Sequence, residues 1–402
     1  MGKLAGGDTF HLADEEVCLS GEQWETKKTP LILKLLAILL IIAAVFAVPP
    51  LVLILVTMIA EPFGLDTLGV TSFVISLVLS VSLLANSVLG ALLGINLLRR
   101  RMRFARHTAE ILIAISVVAM ICEIMLNGLS LYLLTYLIRL VILIAVGTYI
   151  DPTLSEERKV QRALRKMETR DEAAKGVLGR DESGRGYLKL DFCNIFWIFV
   201  IGCVVGVIIE TLFHLATTHE YMNRAGMLYG PFSPIYGFGA VLMTVALNRF
   251  YKKSIILIFL FTALIGGAFE YSVSWFFEFA FGIVAWDYSG TFLSIDGRTD
   301  GLFMCFWGLL GCVWIKFLLP SVLKLVNLIP WNLRYSATTV FAALMLLNGG
   351  LTLAAFDSWY QRQADSEPTN ALEEFCDEFY DDTFMEDRFQ TMSIDPSKST
   401  RT

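Results

Sequence analysis

Charge is scarce in this 402-residue chain. Asp, Glu, Lys and Arg together make up 17%, against roughly 25% in soluble domains. Histidine is scarcer still, with four in all. None of the seven cysteines forms a C-x-x-C pair or another metal-ligand spacing. Cys122, Cys193, Cys203, Cys305 and Cys312 lie in or beside apolar runs and read as small buried thiols, while Cys18 and Cys376 lie toward the ends. No G-x-x-x-x-G-K-[ST] phosphate loop is present, so the chain carries no ATPase motif of its own. No nucleophile is paired with a base. The net charge of -6 is uninformative by itself, because its distribution matters more, and no nucleic-acid partner is expected. No cofactor is expected either.

What is abundant is apolar: 55% of residues are hydrophobic and the mean hydropathy is +0.62. A bilayer core takes about 20 consecutive apolar residues in a helix. By that rule the chain is an all-α, polytopic transmembrane helix bundle with about nine spans. They fall near 31–60, 70–98, 109–127, 129–149, 192–215, 234–250, 254–281, 301–319 and 336–356. The first is long, and Pro49-Pro50 removes two backbone donors, so a kink is expected there. Its apolar run continues past a cleavage-like Val45-Phe46-Ala47, and it reads as an uncleaved helix. The expected organisation is an N-terminal tail (1–30), a four-helix membrane domain (31–150), a linker (151–191), a second membrane domain (192–357) and an acidic tail (358–402).

Charges orient the spans. Arg99, Arg100, Arg101, Arg103 and Arg106 crowd one short loop, Arg249, Lys252 and Lys253 form another cluster, and Lys27-Lys28 precede the first span. The loops near 61–69 and 127–130 carry Glu61 and Asp66 but no Lys or Arg. The expected location is a bacterial cytoplasmic membrane, and the positive-inside rule then puts the N-terminus and linker in the cytoplasm and the acidic tail outside. If 336–356 does not span, the tail lies inside instead. Leu154 to Ala174 suits an amphipathic surface helix, ended by Gly176, Gly179, Gly184 and Gly186. In the tail, Leu372, Phe375, Phe379 and Tyr380 suit a short helix on a partner surface; a solvated tail is the alternative.

Two features of the first membrane domain stand out. Gly90-x-x-x-Gly94 gives one span a small-residue face, which lets backbones approach where lipid provides no hydrophobic drive. Arg139 lies near the middle of the fourth span, and Glu123 in the antiparallel neighbour is the expected ion-pair partner.

Residues 192–320 carry most of the chemistry. Glu210 and His214 lie one turn apart, and His219 precedes Glu220. A Glu-His metal site there lacks further ligands at fixed spacing, and a hydrogen-bonded histidine is the simpler reading. The stretch Asn223 to Gly239 holds four glycines and two prolines, predicting an unwound or re-entrant segment packed on protein. Glu270, Ser274 and Glu278 recur every four residues and share one helix face that cannot face lipid cheaply. Trp286-Asp287-Tyr288 and the turn-like Asp296-Gly297-Arg298 follow. Glu210, Asn223, Arg224, Glu270, Glu278, Asp287 and Arg298 are therefore the candidate substrate-binding residues. They either satisfy one another or bind a polar solute or ion.

The ordered motifs NRAGMLYGPFSPIYGFGA, FEYSVSWFFE, WDYS, DGR and FWGLLG resemble the bacterial family of putative ABC-transporter permeases. The resemblance covers about 192–320. It implies that 192–357 is a permease-like membrane domain and that the chain works with a separate ATPase subunit. Ser233 stands where a cysteine is frequent, Asp296 where asparagine is usual, and Thr299-Asp300 where apolar residues are usual. Membrane lipids are the other expected partner, and a homo-oligomer stays open. Glu172-Ala173-Ala174 matches the start of an importer coupling motif, but Gly179 falls one residue late, and chance accounts for it. Two alternatives remain at this stage: a membrane-embedded enzyme on lipid or envelope precursors, using Glu270 and Glu278 with Arg224 or Arg298, or a non-catalytic scaffold or sensor.

Overall fold

The computed structural model describes residues 30–60, 69–130, 132–150, 186–330 and 333–401. Lys27-Lys28, Glu61, Asp66, Cys18, the Leu154–Ala174 helix and the Glu172 motif lie outside the described residues, as does the Arg103 side chain. The chain divides into two compact units, Met1–Leu164 with Thr400–Thr402, and Arg165–Ser399.

The described residues of unit 1 form α1 (Leu31–Ala60), α2 (Gly69–Leu98), α3 (Met102–Asn127) and α4 (Leu133–Ile150). α1 runs unbroken through Pro49 and Pro50. The α1–α2 seam is close at Gly94, where a Cβ would lie 2.6 Å from the Ala37 carbonyl oxygen, while Gly90 has only Leu40 at 3.9 Å. Gly94 therefore carries the backbone approach that the glycine pair promised. Leu33, Ala37, Leu93, Leu97, Leu112 and Leu143 form the core. The expected Glu123–Arg139 ion pair does not form: among the described residues no ion pair joins them, and Glu123 accepts from its own-helix neighbour Asn127 Nδ2 at 2.9 Å. A donor one turn away was nearer than the guanidinium on α4.

Unit 2 contains α5 (Phe192–Thr218), α6 (Pro234–Leu247), α7 (Ile255–Phe281), α8 (Gly301–Val313), α9 (Leu319–Val326) and α10 (Arg334–Gln363). α8 and α9 join through a π turn at Trp314–Leu318, where Pro320 withholds a donor. Among the described residues seven helices are long and apolar enough to cross a membrane, with α8–α9 counted as one; Leu133–Gly147 of α4 and α6 are shorter apolar helices. Large apolar side chains such as Phe46, Leu264 and Leu346 point outward, which lipid tolerates and water would not. Cys305 is likewise exposed rather than buried, as the expectation for it ran. The protein is a multi-pass, all-α membrane protein.

Caps mark the helix ends. Asp191 accepts from Asn194 N–H at 2.9 Å at the start of α5, and Asp300 accepts from Phe303 N–H at 2.7 Å at the start of α8. Leu188, Ile198, Met243, Leu247, Trp314 and Ile315 build the core. Past α10 the chain folds into α11 (Ala371–Phe379), α12 (Asp382–Arg388) and β2 (Ser393–Ile394), which pairs antiparallel with β1 (Ile283–Val284). The tail through Ser399 thus lies on its own unit, with Met385, Cys376 and Phe389 buried.

Candidate functional site

Two close helix seams place the site. At Gly206 a Cβ would lie 2.2 Å from Tyr236 Cγ, so α5 meets α6 with the Tyr236 ring against its backbone. At Gly266 a Cβ would lie 2.2 Å from Trp307 Cγ, so α7 meets α8 in the same way. Glu210 and Glu270 lie one turn beyond these glycines on the same faces, which sends their carboxylates into the protein.

The segment between α5 and α6 is irregular, and its backbone is satisfied by side chains from α10. Leu228 N–H donates to Thr352 Oγ1 at 3.1 Å, Tyr229 N–H to Asn348 Oδ1 at 3.2 Å, and Asn348 Nδ2 returns a bond to the Tyr229 carbonyl at 2.9 Å. Gly230 takes φ +74°, which glycine adopts freely, and Gly226 N–H closes the loop on the Phe232 carbonyl at 2.9 Å. Non-helical backbone next to lipid survives only on such terms.

The predicted residues form three local groups. Arg224 Nη1 donates to Glu210 Oε1 at 3.3 Å, with both side chains partly buried. The Tyr236 hydroxyl lies beside this pair and within electrostatic reach of Glu270. The Arg224 Nε is buried and has no partner. In the second group Glu270, only 6% exposed, accepts from Tyr288 Oη at 3.0 Å and Thr299 Oγ1 at 2.9 Å. In the third, Arg298 pairs with Glu278, reaches Ser274 Oγ at 3.5 Å, and lies over the Phe279 ring at 5.2 Å from its centroid. Glu270, Ser274 and Glu278 do share one helix face, and that face meets the 286–300 loop.

Asn223 and Asp287 serve the backbone instead. Asn223 Oδ1 accepts from Ala225 N–H at 3.1 Å, and its own N–H donates to Gln390 of the tail at 3.0 Å. Asp287 is exposed, and the Ser289 hydroxyl together with Ser289 N–H, which donates to it at 2.8 Å, holds its carboxyl below the ordinary range. His214 turns to the end of α5, with Nδ1 3.0 Å from the Glu220 carbonyl oxygen. Among the described residues no three His, Cys, Asp or Glu side chains converge as a metal site.

Sequence reasoning passed over Tyr236, Tyr288 and the tail arginine Arg388. Burial together with hydrogen bonding to the Glu270 carboxylate pushes the Tyr288 phenol well up, so it stays a donor. Arg388 donates through Nε and Nη2 to the Met227 carbonyl, at 2.9 and 2.6 Å, and through Nη2 to the Gly230 carbonyl at 2.6 Å. Nothing in the local pattern of the tail marked it as the clasp of a loop some 160 residues earlier.

Residues 197–353 match the family described as Putative ABC-transporter type IV, as the ordered motifs implied. The match covers under half of the chain but contains all seven candidate residues. No curated protein and no solved structure matches the chain.

Proposed function

We propose, taking that family likeness as the premise, that the chain is the permease subunit of an ATP-driven transporter in the bacterial cytoplasmic membrane. It moves a polar solute whose identity is open, and a separate ATPase subunit supplies the energy, because the chain has no phosphate loop. The observation that carries this reading is the family match coinciding with Glu210, Glu270 and Glu278 on apolar helices, met by Arg224 and Arg298 from the adjoining loops. Intramembrane ionisable groups are costly and mark solute or ion paths by default.

In this reading Glu210–Arg224 and Glu278–Arg298 are closed ion pairs that a charged solute opens by competing for one partner. Glu270 accepts from two hydroxyl donors that a solute's own donors replace. Asn223 and Asp287 shape the loops around the entrance. The basic clusters at 99–106 and 249–253 face the cytoplasm, and the tail side faces outward.

The test is purification in mild detergent, identification of the bound ATPase, and measurement of its hydrolysis with and without this chain. Glu270→Gln keeps the side-chain shape and one acceptor, so the fold survives. It is expected to abolish the response of hydrolysis and transport to the chain. Unchanged transport in Glu270→Gln removes the site, and absence of any ATPase from the complex removes the permease reading. Turnover of a lipid precursor by the chain alone points to an enzyme instead.

A further inference from the structure

Unit 1 holds a half-open pocket of about 230 Å³ lined by residues of α1, α2, α3 and α4. Its wall is leucine and isoleucine for the most part, including Leu36 of α1, Leu93 of α2, Leu112 of α3 and Leu143 of α4. Only three polar side chains break that wall: Arg139, Asn86 and Thr135. Thr135 is already engaged, donating to the Tyr132 carbonyl at 2.6 Å within its own helix. Asn86 is fully buried. Its Oδ1 accepts from Ser116 Oγ at 2.9 Å, and its Nδ2 has no partner. Arg139 faces no carboxylate in the cavity, because none lines it, and Glu123 is occupied by Asn127.

Asn86 Nδ2, buried without an acceptor, and Arg139, half-buried with no ion pair or hydrogen bond among the described residues, thus share an otherwise apolar pocket. A buried donor without an acceptor is costly, and a guanidinium at membrane depth more so. Water alone satisfies such groups poorly where few other polar atoms line the space. The missing complement is an acceptor with negative charge, attached to something that fills a leucine-lined volume.

We propose that this chamber is a binding site for an anionic amphiphile: an acid head group, carboxylate or phosphate, bonded by Arg139 and Asn86, with its alkyl chain against the leucines. A fatty acid and an anionic phospholipid both carry that chemistry. A guanidinium takes either head with two parallel hydrogen bonds. The site lies wholly within unit 1 and does not depend on the transport reading of unit 2.

The test uses the full-length chain in nanodiscs of phosphatidylcholine. A fluorescent polyene fatty acid is the probe, displaced by decanoate, by decanol and by short-chain phosphatidic acid, with melting temperature followed in parallel. The acids are expected to displace the probe at least tenfold better than decanol. Displacement by decanoate but not phosphatidic acid assigns a free fatty acid, and the converse assigns a phospholipid. Arg139→Gln is expected to weaken probe binding at least tenfold while raising the ligand-free melting temperature, since it removes an unpaired charge. Arg139→Lys keeps the charge and retains acid-over-alcohol preference. Gly90→Leu fills the chamber and is expected to abolish binding with the charge still present. Equal displacement by decanol and decanoate overturns the proposal. So does undiminished binding in Arg139→Gln or Gly90→Leu, or a lowered ligand-free melting temperature in Arg139→Gln, which makes Arg139 a structural residue.

Discussion

Arg388→Ala removes the side chain that ties the acidic tail to the irregular loop before α6. Two carbonyls lose their donor, those of Met227 and Gly230. Gly230 is exposed, and water replaces the arginine there at little cost, whereas Met227 is buried. Leaving a buried carbonyl unmet costs about 1–3 kcal/mol, and a hydrogen bond to a charged group contributes about 1.5–3 kcal/mol. These overlap for one carbonyl, so the docking of the tail should weaken by about 1.5–3 kcal/mol. At about 1.4 kcal/mol per tenfold, the undocked population rises roughly 10- to 150-fold. The other anchors remain: Arg362 with Asp377 and Asp382, the Tyr229–Tyr380 hydroxyl pair at 2.8 Å, and Phe389 against Phe356. The helices themselves should therefore stay folded. Hydrogen exchange of the amides in 371–394 reads the change directly, because exchange follows the local opening equilibrium. A loss of protection smaller than tenfold, or one shared equally by α5 to α10, refutes the reasoning that Arg388 clasps the loop.

Acid should loosen the same element. Burial works to raise the Glu373 pKa, but the Thr369 N–H and hydroxyl and the Gln361 amide together outweigh it and hold the carboxyl below 4.5. A depressed carboxyl stabilises the docked tail above its unfolded pKa and loses that contribution as pH falls through the depressed value. Tail protection should thus be flat above about pH 5 and fall below about pH 4, and Glu373→Gln should remove most of that fall. Side-specific cysteine labelling checks the topology of unit 2: Ser366→Cys should react with an impermeant reagent from outside and Lys253→Cys only from the cytoplasm. Same-side labelling overturns the orientation drawn from the basic clusters.

Helix placement was legible because the lipid requirement is local. A run of about 20 apolar residues spans wherever it occurs, and the helices lie within a few residues of the apolar runs except where polar ends extend them, as at Arg334–Gln363. Glu270, Ser274 and Glu278 were readable as one face because spacing alone dictates it. Their partners were not. Tyr288 and Thr299 reach Glu270 from a loop whose path follows from turns at Gly290 and Gly297, both at positive φ. Glu123 and Arg139 show the opposite failure, since adjacency in a hairpin of helices does not settle rotation about each axis.

By itself the order of residues determined that this is a polytopic helical membrane protein, where its helices run, and which family its second half resembles. Those follow from composition, periodicity and motif order, each a property of short stretches. Only tertiary structure decided that the carboxylates and arginines close into separate pairs, that the tail folds back onto its own unit through Arg388, and that Arg139 faces a chamber without a counter-charge. Those outcomes depend on how helices rotate and loops return across scores of residues, and a contact between distant segments leaves no mark in either segment alone.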